Sequence, residues 1–216
     1  EGTDVPLEDG NGERRGPSPI PYGQTLPPPK EMSHEDMQAV RADFVRATQM
    51  AQRAGFDMIE LHCAHGYLLS SFLTPVSNNR TDEYGGAFEN RTKMLIETVE
   101  AVRAVWPQHL PLSVRLSASD WVEGGWTVDD SVRVAKMLKE RGVDIVDCSS
   151  GYIRSQDRYQ QGPGWQVPLS DKVRNEANVP TATVGGITEP HQADQIIREG
   201  KADLVLLARE EMRDPY

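Results

Sequence analysis

The sequence predicts an α/β protein whose parallel sheet curves into part of a (β/α)8 TIM barrel, and three observations carry this reading. Strand-like runs at 56–64, 111–118, 143–150, 180–186 and 202–209 alternate with segments of helical periodicity at roughly 33–54, 87–106, 127–141, 168–177 and 189–199. Such alternation builds a parallel sheet. Within the strands, polar and apolar residues take turns: Leu112, Val114 and Leu116 share one side, Ser113, Arg115 and Ser117 the other. A sheet covered by helices on both faces would read as continuously apolar. The polar side must therefore face the interior of a barrel. Segment 56–64 repeats the pattern, with Ile59, Leu61 and Cys63 against Met58, Glu60 and His62. His62 and Arg115 are thus expected to project into one interior.

The elements follow in order. Residues 1–32 are rich in Gly, Pro and charge, and Pro27, Pro28 and Pro29 exclude regular structure there, so this stretch is read as a loop. Ser33 is placed to cap the first helix, with Asp36 three residues on, and Gly55 ends it. A closed barrel needs eight strands in about 250 residues. Five are present, preceded by a helix, so residues 33–216 are read as the C-terminal portion of a single barrel domain whose first three strands and last helix lie outside the sequence. The opening Glu1-Gly2-Thr3, without Met, agrees with a piece of something longer.

Composition bounds the function. The chain has 216 residues, 38% of them hydrophobic and 26% charged, as in an ordinary soluble protein. Its net charge of −10 argues against nucleic acid and against an anionic membrane surface as partners. No apolar run approaches the ~20 residues of a membrane span, and no signal-peptide core is seen. Cys63 and Cys148 sit in strand-like runs and are read as buried, reduced thiols of a cytoplasmic protein.

Chemistry concentrates after the first strand, in Glu60-Leu-His-Cys-Ala-His-Gly-Tyr67. Two imidazoles and a phenol leave a strand end together, the place where α/β enzymes keep their reacting groups. His62 and His65 offer hydrogen-bond donors for an oxygen anion, and Tyr67 offers a proton. A metal reading of the histidine pair is set aside, since no third ligand recurs at a strand end with suitable spacing.

These stretches, together with Asn79-Arg-Thr-Asp-Glu-Tyr-Gly-Gly86, Glu89-Asn-Arg91, Ser113-Val-Arg-Leu-Ser117, Val184-Gly-Gly-Ile-Thr188, Leu206-Leu-Ala-Arg-Glu210 and Arg213-Asp-Pro-Tyr216, occur in the order seen in one family. Over residues 17–216 the chain resembles the Old Yellow Enzyme family of FMN-dependent ene-reductases. The resemblance implies FMN as cofactor and NAD(P)H as reductant, with hydride passing through FMN to the C=C bond of α,β-unsaturated carbonyl or nitro compounds. By the same resemblance, Tyr67 is the proton donor, since a phenol is acidic enough to quench the far more basic α-carbanion. His62 and His65 would hold the carbonyl or nitro oxygen on which charge gathers. Arg115, expected to have no carboxylate partner at its own strand position, would meet the N1–C2=O edge of the flavin, with an ion pair to Glu60 as the structural alternative.

Gly185 and Gly186 at one strand end, and Ala208 and Arg209 at the next, would close on the FMN phosphate. The family tends to carry glycine where Ala208 stands. Segment 78–91, with Arg80, Asp82, Glu83, Glu89 and Arg91, is read as a loop held by ion pairs that caps the following helix. The loops 119–126 and 151–166 carry Trp121, Trp126, Tyr152, Tyr159 and Trp165, aromatics on the active-site side, some of which would shape substrate choice, without the sequence saying which. A small-molecule substrate is expected, and a homo-oligomer is left open. Two other readings stay open as well: a dienoyl-CoA-reductase-like flavoenzyme with an iron–sulfur cluster outside this segment, and a non-catalytic barrel fragment whose strands 56–64 and 202–209 are open edges.

Overall fold

Five strands run parallel, side by side, in the order in which the chain makes them. The computed structural model describes residues 13–154 and 161–214. It opens with a two-residue parallel ladder, β1 (Arg15–Gly16) against β2 (Lys30–Glu31), inside the stretch read as loop. There follow α1 (His34–Arg53), β3 (Ile59–Cys63), α2 (Leu68–Leu73), α3 (Phe88–Arg103), β4 (Leu112–Ser117), α4 (Val128–Glu140) and β5 (Ile145–Ser149). The chain continues with α5 (Val167–Ala177), β6 (Thr181–Val184), α6 (Pro190–Arg198), β7 (Leu204–Leu206) and α7 (Arg209–Arg213).

The helix ends are written locally. Ser33 Oγ accepts from the Asp36 N–H at 3.1 Å while an Asp36 carboxylate oxygen accepts from the Ser33 N–H at 3.0 Å, a reciprocal capping box. Thr127 and Asp130 repeat the device at α4. Gly55 follows α1 at φ +80°, where any side chain would be strained. Two short helices depart from expectation. α2 is too brief to show periodicity, and α7 begins at Arg209, so the strand expected over 202–209 stops at Leu206. Arg209-Glu-Glu-Met-Arg213 is a run of good helix formers, and a strand at the sheet margin has only one neighbour to lengthen it.

Strand register fixes the two faces. Leu61 and Cys63, Leu112, Val114 and Leu116, and Val146 and Cys148 all enter one core with Val99, Val102, Leu138 and Val173 from the helices. Their neighbours in sequence take the opposite side, the barrel interior. There His62 on β3 lies opposite Arg115 on β4, which lies opposite Asp147 on β5. Both cysteines are free and buried on the helix side. β3 and β7 are the sheet margins, and inward-facing Leu204 is 43% exposed, so the curve stays open. This is a partial barrel.

Arg80 ties the entry segment to the barrel. Its guanidinium donates to Pro17 O at 3.0 Å and Met32 O at 2.8 Å and pairs with Asp82 at 2.5 Å, which holds the Asp82 carboxyl well below the usual range. The 78–91 loop is thus held as expected, but it does not cap α3. The N-cap residue, Ala87, has no side-chain bond to give, and Glu89 pairs across to Arg133 at 2.9 Å instead.

Arg80→Ala leaves Asp82 and two carbonyls without their cation, and in the full-length protein it is expected to lower the unfolding free energy by about 3 kcal/mol. Ser33→Ala, which removes one cap, is expected to cost about 1 kcal/mol in the same urea denaturation series.

Candidate active site

Parallel strands end on the same side, so the segments that leave β3 to β7 gather along one rim. From β3 come His62, His65 and Tyr67. The His62 ring stands 5.3 Å from that of His65 and 5.4 Å from that of Tyr67, centroid to centroid. Tyr67 is the N-cap residue of α2 and is 63% exposed, so its phenol faces the open side rather than the core. The His65 N–H donates to Ser117 Oγ at 2.8 Å, and Ser117 Oγ donates to Gly151 O at 3.1 Å. The turns after β3, β4 and β5 are thereby laced together.

Three bulky residues on these turns, His65, Trp121 and Tyr152, have φ near +60° (61°, 59° and 63°). Left-handed backbone is unfavourable for side chains of this size and persists only where surroundings enforce it. The turns also approach closely at Gly66, where a Cβ would lie 2.5 Å from the Tyr152 carbonyl oxygen. The Tyr152 ring meets His65 edge-on at 5.6 Å, and Trp121 lies 6.1 Å from Trp165. Trp126 departs from the expected aromatic rim: it is buried, stacks on Phe88 at 5.6 Å and donates its indole N–H to Ser131 Oγ at 2.6 Å. It belongs to the core because Phe88 of α3 and Ser131 of α4 hold it there. Tyr159 lies outside the described residues.

Electrostatics at the rim follow from burial first and from Arg115 second. Burial lowers the pKa of His65 to about 4, with Arg115 and then His62 pushing in the same direction. Burial and Arg115 also lower that of His62, against the opposing pull of Glu60. Both imidazoles are therefore neutral at neutral pH, each with one N–H to donate. His65 Nε2 is 2.7 Å from Ser149 Oγ, which fixes the ring.

One expectation fails here. Arg115 does have a carboxylate beside it: Asp147, one strand over, lies 3.2 Å from Nη1. Glu60, the partner considered from sequence, instead accepts from Ser113 Oγ at 2.8 Å. Alternation along a strand sets the face of each residue, but lateral register between strands is not written in it. The signal available was that Asp147 interrupts an apolar strand at the inward-facing position.

At the far end of the rim, Gly185 and Gly186 leave β6 at φ +107° and +64°. A Cβ at Gly186 would lie 2.2 Å from the Gly162 carbonyl oxygen, so packing requires that glycine, while at Gly185 the positive φ does. Ala208 has φ −131°, outside the left-handed region that would call for glycine. Rather than ending a strand, Ala208 is the N-cap residue of α7 and Arg209 its first residue.

The model of the NADH:flavin oxidoreductase / NADH oxidase family matches residues 3–216. The chain belongs to that family. An NADPH dehydrogenase of Geobacillus thermodenitrificans is 48% identical over 205 residues, 95% of this chain and 59% of that protein. The chain thus spans about three fifths of the length of such curated relatives. Among solved structures, 2-naphthoyl-CoA reductase in complex with 2-naphthoyl-CoA superposes with a TM-score of 0.87 at 27% identity, over 94% of this chain and 32% of that one. Morphinone reductase in complex with tetrahydroNAD gives 0.75 at 23% identity, over 93% and 57%, a likeness of fold.

FMN is the cofactor of this family and NAD(P)H its reductant. The residues present fit such a group. Arg115 has a buried Nε without a hydrogen-bond partner, and its side chain, a quarter exposed, is a cation open to an acceptor edge. The exposed Arg209 adds a second cation further along the rim, at the start of the helix that follows the strand paired with β6. Among the described residues no helix is long and apolar enough to cross a membrane.

His65 titrates at about 4 in the folded protein against an ordinary 6.5, so the unfolded chain takes the proton first. The contribution of this group to stability is full above about pH 6.5 and is lost as the pH falls toward about 4. In the FMN-free protein, His65→Gln is expected to reduce the drop in urea midpoint between about pH 7 and about pH 5.

Proposed function

We propose that the protein is an FMN-dependent ene-reductase, reducing the C=C bond of α,β-unsaturated carbonyl or nitro compounds at the expense of NAD(P)H. The observation that carries this reading is the row Tyr67–His62–His65, two neutral imidazoles and an exposed phenol within 5.4 Å of one another in sequence along the rim, beside Arg115. Bound FMN supplies the hydride. Arg115 would hold the acceptor edge of its ring system, and Gly185, Gly186, Ala208 and Arg209 its phosphate.

The substrate oxygen gains negative charge as the β-carbon is reduced, and fixed N–H donors lower the barrier to that change. His62 and His65 are those donors. Neutrality suits them, because a neutral imidazole stabilises the oxygen without surrendering its proton to it. For His65 the tautomer matters. Ser150 Oγ already donates to Gln166 Oε1 at 2.5 Å, while Ser149 Oγ is 3.5 Å from it, too far to hold a proton well. With Ser149 O–H as donor to His65 Nε2, the Nδ1–H is left for the substrate. Tyr67 delivers its proton to the α-carbon from the exposed side. Trp121, Tyr152 and Trp165 would bound the substrate laterally.

A cytoplasmic location and a small-molecule partner belong to this reading. A second reading, the acyl-CoA-reducing iron–sulfur relative, draws on the fold likeness to 2-naphthoyl-CoA reductase. The 48% identity to an NADPH dehydrogenase favours the first.

In the full-length enzyme, Tyr67→Phe is expected to slow oxidation of the reduced enzyme by an enone at least ~100-fold while leaving the rate of reduction by NADPH unchanged. Stopped-flow measurement of the two half-reactions separates these effects. His62→Ala is expected to slow the same oxidative step on the order of 100-fold. Equal rates for wild type and Tyr67→Phe would assign the proton to another donor. For the 216-residue chain itself, FMN titration followed by fluorescence quenching tests the phosphate site: saturable binding should be weakened by Arg209→Ala.

A further inference from the structure

Asp147 enters none of the roles above. It lies in the middle of β5 on the inward side, opposite Arg115, while its neighbours Val146 and Cys148 pack into the helix-facing core. Its exposure is 0%. Arg115 Nη1 is 3.2 Å from Oδ2, within reach of charge attraction. Yet neither carboxylate oxygen nor Arg115 Nε has a hydrogen-bond partner among the described residues. The other charged or titratable groups near this pair are Glu60 and His62 of β3 and His65 just beyond that strand, and β6 presents Ala182 opposite Asp147. A fully buried carboxylate whose one neighbouring cation makes no directed hydrogen bond to it is a costly thing to bury. Asparagine would fill the same volume without a charge, so it is the charge that needs a reason.

Resting on the flavin reading above, we propose that Asp147 is a positioning residue that holds the Arg115 guanidinium toward the rim. As its buried counter-charge, Asp147 also sets how strongly Arg115 attracts negative charge arriving there. With the carboxyl ionised, Arg115 is largely neutralised within the pair; with it protonated, Arg115 presents its full charge. Burial raises this carboxyl to about 7, Arg115 opposing and Glu60 adding to the rise, so the exchange between the two states falls near neutrality. Two electrons and one proton delivered to bound FMN leave one negative charge on it. A second proton, taken from solvent by Asp147, then restores the charge balance of the site. The electrons come from NAD(P)H, and no further reagent is required.

The test is the midpoint potential of FMN in the full-length protein, by spectrophotometric titration against dyes from about pH 5 to about pH 9. In the wild type, a segment steeper than one proton per two electrons is expected above neutrality. Asp147→Asn should lose that segment and show a higher potential at alkaline pH, because the reduced flavin no longer faces a second negative charge. Coincident curves for the two proteins would overturn the proposal while leaving the functional reading intact. Failure of the wild type to retain FMN would overturn both. Should Asp147→Asn not accumulate as folded protein, the wild-type curve decides. A steeper segment retained in Glu60→Gln supports Asp147, and a uniform slope of one proton per two electrons overturns it.

Discussion

The Arg115 guanidinium is the fixed charge around which the rim is organised. It issues from the inward side of β4, with His62 on one neighbouring strand and Asp147 on the other at the same level. Its charge keeps the imidazoles unprotonated, adding to the effect of their burial. It also makes a buried carboxylate tolerable beside it. Parallel pairing is what achieves this arrangement, because residues that are partners across a parallel ladder share a face and a height. The same rule sends Leu61, Val114 and Val146 to the helices. The chemistry on one side of the sheet and the core on the other are therefore two readings of one register.

Much of this was legible in the sequence where the determinant is local. Ser33, Asp36 and Gly55 mark α1 because capping involves residues a few positions apart. Alternation in Leu112–Ser117 was enough to turn Arg115 inward, since side-chain direction in a strand depends on parity alone. Family resemblance and the matched model agree on the kinship of the chain. The illegible parts share a physical cause. The neighbour of Arg115 is decided by hydrogen bonding to a strand made some thirty positions later, and nothing in either segment states the offset. Trp121 and Trp126 stand in one loop, yet one is exposed and the other is core, because irregular backbone has no period from which to read a face. The six residues of α2 and five of α7 are too few for periodicity to speak.

The interior also explains a division of labour among the polar groups. Glu60 and Ser113 satisfy one another lower in the barrel, whereas Arg115 and Asp147 attract one another without a directed bond. The first pair is finished as a structure. The second keeps donor and acceptor capacity in reserve, at a position from which the rim can be reached. A polar interior is thus graded, from satisfied at the base to unsatisfied beneath the site.

The contact between Gly66 and Tyr152 has a consequence for motion. With the Tyr152 carbonyl occupying the space where a side chain would stand, the turns after β3 and β5 interlock, and Ser117 bonds to both. Neither turn can swing out while the other stays in place. The histidines and the aromatic wall therefore open and close as one cooperative unit, and their amide protons should exchange with solvent through a shared opening event rather than independently.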